Sequence, residues 1–534
     1  MTPLRTYLAL CLLPPSLGAY QTTSLPADLT VRTTTGIYTA LLDPSLPNVR
    51  QFRNIPYALP PTGPRRWLPP VAVPPSTTHH YAYTFPPSCP QYLPAPLSVW
   101  NTNISDFSID VAGQSHFAGT LAQTTAEDCL SLAIWAPRSN LNLSSEGNPL
   151  LPVILFLPGG SFQRGGVSVP YQIPGGWVQR SARHIAVTAN YRVNIMGFPS
   201  FARGLEDQNP GLLDARMALE WVYANIAAFG GDRDRITLWG QSAGAVVADM
   251  LAYAWWEEPL VAGLFLQSGS ANVPGGTGAS KEPGESNFTF VARSLGCDFP
   301  DDGEAEMGCM RGVPVARIVN FVGGYGDNGT TPALGFKTVD DGRTGFGNYT
   351  LRALEEGRVA RVPALISTTA NEEASLWKYP VKDVAAGPNM TAVDAATVEV
   401  FVCLAANATD VRAALGVTTY RYQYAGNFSN LTPLPWLGAY HASDIPLLMG
   451  SYERGGPATG FERSVAETMQ DYLLAFMEDP EDGLRRKGWE PHVERVSVGG
   501  NMVRFAVGDT VADNASASEV DFACVSGAPY NRSP

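Results

Sequence analysis

The sequence predicts an α/β fold: a large, mostly parallel central sheet flanked by helices and carrying long loop insertions. Three observations predict it. Short, almost unbroken apolar runs recur along the chain, as strands buried on both faces require. Helical patterns lie between those runs. A glycine-flanked serine sits where one run gives way to an apolar helix.

Taken in chain order, the first element is an export signal over residues 1–18, cleaved after Gly18 or Ala19. It carries one positive charge, Arg5, and an apolar run, Leu8–Leu13, broken by Pro14 and Pro15. That run is too short to span a bilayer. Eleven Asn-X-Ser/Thr sequons follow, at Asn103, Asn142, Asn287, Asn328, Asn348, Asn389, Asn407, Asn427, Asn430, Asn514 and Asn531, a density that predicts a secreted, N-glycosylated chain. Removing the signal takes Cys11 and leaves six cysteines: Cys89, Cys129, Cys297, Cys309, Cys403 and Cys524. None forms a CxxC pair, so no metal site is expected, and spacing alone leaves their pairing open. No second long apolar stretch and no hydrophobic C-terminal tail is read, so no stable membrane anchor is expected.

Residues 20–534 read as a single catalytic domain, because no break in composition demands a linker. With 45% hydrophobic and 16% charged residues the chain can build a sizeable core. Lys+Arg 36 against Asp+Glu 49 gives a net charge of −13, which repels phosphate backbones and argues against nucleic-acid binding. Buried strands are predicted at Leu151–Leu157, Ile185–Tyr191, Arg235–Trp239 and Val362–Ser367, with a strand-like run at Thr419–Tyr424. Helices are predicted at Leu212–Phe229, ended by Gly230-Gly231, and at Ala243–Trp256. Pro74–Glu127 and Asn272–Ser286 lack periodicity and read as surface excursions.

The chemistry centres on Gly240-Gln241-Ser242-Ala243-Gly244. A GxSxG pentapeptide between a buried strand and an apolar helix forms an elbow that exposes its serine at the sheet's edge. A nucleophilic serine needs oxyanion donors, a base and an acid that orients the base. The N–H groups of Gly160 and Ser161, in the glycine-rich turn after Leu151–Leu157, and of Ala243 are assigned as donors. Nucleophile, acid and base follow in that order in such folds, which leaves His441 and His492 as bases. His492 lies in a charged run that reads as a solvated face, so His441 is favoured. The acid is expected after Val362–Ser367, where Glu372 and Glu373 both stand.

At this point the chain resembles the type-B carboxylesterase/lipase family, the α/β-hydrolases that include cholinesterases and secreted fungal esterases and lipases. The resemblance rests on Phe52-Arg53-Asn54-Ile55-Pro56-Tyr57-Ala58, Glu127-Asp128-Cys129-Leu130, Asn190-Tyr191-Arg192-Val193, Gly211-Leu212-Leu213-Asp214 and Phe229-Gly230-Gly231-Asp232, in the family's order. It covers nearly the whole mature chain. It implies that Glu372 is the acid, that Gly438–Asp444 is the histidine block, and that the cysteines pair as Cys89 with Cys129, Cys297 with Cys309 and Cys403 with Cys524. It also implies a triad of Ser242, Glu372 and His441 that hydrolyses esters through an acyl-enzyme without a cofactor.

The family usually has Glu where Gln241 stands, which disfavours cationic substrates and points to neutral esters. A small-molecule or lipid ester is the expected partner. The loop between Cys89 and Cys129, with Leu93, Leu97, Val99, Trp100, Phe107 and Phe117, is either a lid or a stapled surface loop. Trp100 and Trp436 are candidate aromatic faces for a cation. Alternative readings are a lipase, a sterol esterase, a biosynthetic acyltransferase, or a catalytically dead binding protein.

Overall fold

The computed structural model describes residues 27–111, 114, 119–138, 149–272, 286–493, 499–526, 530 and 532. The signal segment, Asn142, Asn531, Phe117 and most of the excursion at 272–286 lie outside the described residues.

Thirteen strands form one sheet. β1 (Thr30–Thr33), β2 (Gly36–Leu42) and β3 (Val49–Pro56) run antiparallel, and β4 (His79–Ala82) lies along β2. β5 (Tyr92–Leu93) and β6 (Thr120–Leu121) make a separate ribbon. β7 (Ser131–Pro137) links this antiparallel edge to the parallel part. There β8 (Leu151–Leu157), β9 (Ile185–Ala189), β10 (Gly231–Gln241), β11 (Gly263–Gln267), β12 (Ala364–Thr369), β13 (Thr419–Tyr424) and β14 (Asn501–Val507) lie in the order β9-β8-β10-β11-β12-β13-β14. β15 (Thr510–Ser516) closes the edge antiparallel to β14.

Every residue of β9, β11, β12 and β13 is buried, which is why β9 and the start of β12 read as apolar runs without alternation, while β13 buries Arg421 and Gln423 as well. Side chains still alternate between two cores. Val153, Leu155 and Leu157 of β8 join Leu238 and the helices Pro210–Asn225 and Ala243–Ala254 on one face. Ile154 and Phe156 join Trp239, Phe265 and the helix Gly460–Glu478 on the other.

Boundaries differ from the sequence reading for local reasons. β12 starts at Ala364 because Pro363 has no N–H for the ladder, although its carbonyl accepts from Leu264 N at 2.9 Å. The first long helix starts at Pro210, a residue suited to the first turn, and passes into a 3-10 turn at Ile226–Phe229 closed by Gly230 at φ 97°. The excursion Pro74–Glu127 contains β4, β5, β6 and the one-turn helix Val99–Thr102, all too short to show a period.

Three expectations need correction. His492 is not on a solvated face: it is 3% exposed. Its N–H donates to Thr419 O at 2.7 Å, and Gly500 makes room for the ring, since a Cβ there would stand 2.2 Å from His492 Cε1. Two sequon asparagines, Asn287 and Asn430, have their side-chain amides engaged within the fold instead of standing free. The Asn287 amide nitrogen is turned inward onto Gly335 O, and that of Asn430 binds Tyr452 O and Glu462 Oε1. Finally, Met390–Ala414 is one helix long and apolar enough to cross a membrane by length and composition. Here it is tied into the protein: Arg412 pairs with buried Asp249, and Cys403 is bonded to Cys524.

The disulfides are Cys89–Cys129, Cys297–Cys309 and Cys403–Cys524. Two of the sequence blocks that carry the family resemblance meet in space. Arg192 of one block holds Asp214 of another through Nε and Nη2, both at 2.7 Å, with the pair almost wholly buried. Arg66 grips Glu127 in the same two-pronged way, at 2.6 and 2.7 Å.

Candidate active site

The site lies at the carboxyl ends of β8, β10, β12 and β13, with β11 between β10 and β12, where open α/β sheets form their crevices. β8 leads into Gly159-Gly160, β10 into Ser242, β12 into Glu372 and β13 towards His441. The register aligns these ends: Leu157 pairs with Gly240, Gln241 with Gln267, and Ser367 with Gln267 from the other side.

Ser242 is held at φ 55°, ψ −125°, a conformation that strains any residue with a Cβ. The turn closes only because its flanks are glycine. A Cβ on Gly240 would come within 2.1 Å of Gly244 O, and one on Gly244 within 2.0 Å of Leu157 O. Ser242 N–H donates to Gln267 O at 2.8 Å, and Ser242 O accepts from Ala245 and Val246, which starts the helix behind it. The glycine-rich turn packs on this elbow: a Cβ on Gly159 would sit 2.6 Å from Gln241 O. Gly160 (φ 125°) and Ser161 (φ 55°) border the cleft, and Ala243 follows Ser242 at the helix start.

His441 Nδ1 lies 2.6 Å from Glu372 Oε2, and both side chains are buried. Glu372 Oε1 accepts from Thr369 N and from Ser268 Oγ, each at 2.7 Å, so the carboxylate is clamped from behind. Glu373 takes no part in this contact. It is half-buried, its backbone N–H donates to Thr397 Oγ1, and desolvation raises its pKa. The histidine loop is fastened to the acid's loop by Asn371, whose amide donates to Trp436 O and Leu437 O.

Sequence reasoning missed several groups. Gln241 Nε2 donates to His441 Nε2 at 3.1 Å. That contact leaves Nε2 as the acceptor and Nδ1–H as the donor to Glu372, the tautomer a base needs. Ser268 gave no signal, because only the fold brings β11's end behind Glu372. Asp444, in the histidine block, is wholly buried with a pKa raised to about 6, chiefly by desolvation, and accepts from Tyr422 Oη at 2.9 Å.

The cleft in front of Ser242 opens to solvent. Trp100 and Phe107 of the Cys89–Cys129 loop form one wall. Trp100 Nε1 donates to Ser375 O at 2.9 Å, and Phe107 packs on Tyr171 with ring centroids 4.8 Å apart. The loop is thus pinned on the far side of the cleft. Trp436 lies away from the lining, its Nε1 donating to Val384 O.

A strained serine delivered by a parallel strand, with an acid-backed histidine on a later loop of the same sheet, is the design of the α/β-hydrolases. Residues 30–391 match the carboxylesterase family, and the chain belongs to that family. It is 39% identical to secreted lipase 5 of Gibberella zeae over 93% of this chain and 94% of that protein. It is 41% identical to chlorogenic acid esterase of Aspergillus niger over 85% of this chain and 83% of that one. Acetylcholinesterase of Gallus gallus is 34% identical over 60% of this chain and 40% of its own length. Hydrolysis of carboxylic esters of the carboxylesterase or lipase kind goes with that membership.

Proposed function

We propose that the chain is an exported serine carboxylesterase working through Ser242, His441 and Glu372, with preference for neutral over cationic esters. His441 Nε2 leaves Gln241, takes the proton of Ser242 Oγ, and the oxygen attacks the ester carbonyl. The oxyanion is received by the N–H groups of Gly160, Ser161 and Ala243, each such donor being worth about 2.7–4 kcal/mol in this kind of step. Glu372 stabilises the imidazolium. His441 then protonates the leaving alcohol, and water, activated in the same way, releases the acid from Ser242.

The observation that carries this reading is the 2.6 Å contact of His441 with a buried, clamped Glu372 beside the strained Ser242 elbow. The two fungal relatives, named as a secreted lipase and an esterase, support both export and ester hydrolysis. The pinned Cys89–Cys129 loop favours an esterase with a standing cleft over a lid-gated lipase. Preference against cations draws on the cleft lining, which among the described residues holds no Asp or Glu. The test is Ser242→Ala: hydrolysis of a short-chain nitrophenyl ester should fall to a trace while the folded circular-dichroism spectrum is kept. Substantial remaining activity would remove Ser242 as nucleophile.

A further inference from the structure

The most unusual charge in the molecule is Arg164. The buried arginines have partners, whereas Arg164 is only partly buried. Arg192 holds Asp214, Arg412 holds Asp249 and Arg421 holds Asp521. Arg66 holds Glu127, and Arg50 donates to main-chain carbonyls, including Phe229 O at 2.9 Å. Arg164 sits in the glycine-rich turn, its backbone N–H donating to Gly160 O at 3.2 Å and its stem packed against Gly160. Its side chain lines the cleft in front of Ser242. Among the described residues no carboxylate, carbonyl or aromatic face pairs with its guanidinium. Desolvation alone lowers its pKa, with no acid to offset it.

A partly buried guanidinium on the wall of a cleft, with no acid beside it, is free to pair with an anion that enters there. His441 is the other group on the cleft wall that can carry positive charge, and it is engaged by Glu372 and Gln241; the remaining polar side chains there are amides and hydroxyls, Tyr92 among them, uncharged at neutral pH. The cleft is therefore positive at one fixed point, a few residues along the chain from the oxyanion donors. Guanidinium is suited to a planar, two-oxygen anion.

We propose that Arg164 is a specificity-determining residue that binds a carboxylate carried by the substrate, so that the preferred ester is a monoanion with a free carboxylate besides its scissile bond. This rests on the esterase reading above and sharpens its substrate class from neutral to singly negative. The carboxylate stands on either the acyl or the alcohol side of the ester, and matched substrates separate the two.

The experiment compares kcat/KM for para-nitrophenyl hemiglutarate with para-nitrophenyl valerate, and for meta-acetoxybenzoate with meta-tolyl acetate. The wild-type protein should prefer the carboxylate member of at least one pair by about tenfold or more, the size of one charge-assisted hydrogen bond. Arg164→Gln should abolish that ratio, mainly through KM, and Arg164→Lys should keep part of it. A ratio near one in both pairs, or a preference that survives Arg164→Gln, overturns the proposal. Wild-type protein inactive on all four esters overturns the esterase reading and this proposal with it. Should the glutamine variant not fold, inhibition of wild-type valerate hydrolysis decides: benzoate should compete at about tenfold lower concentration than benzamide, and equal inhibition overturns the proposal.

Discussion

Glu372 and Glu373 are adjacent in sequence and have opposite surroundings. Glu372 accepts from Thr369 N and Ser268 Oγ and faces His441, whereas Glu373 turns away from that contact. Glu372→Gln should lower kcat/KM by about a hundredfold or more, since an amide in that place cannot stabilise imidazolium. Glu373→Gln should stay within about threefold of wild type. Steady-state kinetics on one nitrophenyl ester compares them. Asp444 gives a second prediction. Burial raises its pKa from 3.8 to about 6, so the fold binds its proton more tightly than the unfolded chain does. Stability from this group is therefore fully present below pH about 4 and lost as pH rises through about 6. Above that, ionised Asp444 opposes folding by about 3 kcal/mol. Asp444→Asn should be more stable than wild type at pH 8, with the advantage gone near pH 4, as urea titrations at both values would report.

Elements were legible where burial was complete and opaque where they were short. β8 could be found because it is apolar throughout, and β10 because its mostly apolar stretch Ile236–Trp239 leads into the serine turn. β4 could not, since His79, His80 and Tyr81 are exposed and only Ala82 is buried. The helical stretch Met390–Ala414 was equally hidden, because its apolar residues and its buried Arg412 serve different neighbours. That stretch is fastened to the C-terminal helix Ser518–Ser526 by Cys403–Cys524, across a sequence separation of 121. Closing so long a loop restricts the unfolded chain by about 5 kcal/mol in the chain-entropy account. Replacing both cysteines by serine should lower stability by up to that amount. The urea midpoint of the double variant against wild type measures it.

At the scale of the whole molecule, long-range and local electrostatics point in opposite directions. The net charge of −13 draws cations towards the surface, an effect screened over about 10 Å at ordinary salt. The cleft lining offers them no carboxylate among the described residues, and it holds Gln241 beside Ser242 and Arg164 in its wall. Butyrylcholine should therefore have a kcat/KM at least tenfold below that of its uncharged carbon isostere, dimethylbutyl butyrate, a difference of about 1.4 kcal/mol. Lowering the ionic strength should narrow the gap without closing it. Ser242, Glu372 and His441, the residues proposed as the triad, could be picked out in the sequence because each follows a recognisable strand. Gln241's hold on His441 and Arg164's solitude could not, because both depend on which side chains the folded sheet brings near and which it keeps away.

The four strand ends that build the site are delivered at very different times during synthesis. The serine elbow is complete once β11 has joined β10, but its histidine comes from a loop beyond β13, and the Cys403–Cys524 clip needs almost the last residues. A chain growing from its N-terminus thus carries the Ser242 elbow without His441 until most of it has been made. With the roles proposed above, products of early termination should lack esterase activity, and hydrolysis should begin only in the nearly finished molecule.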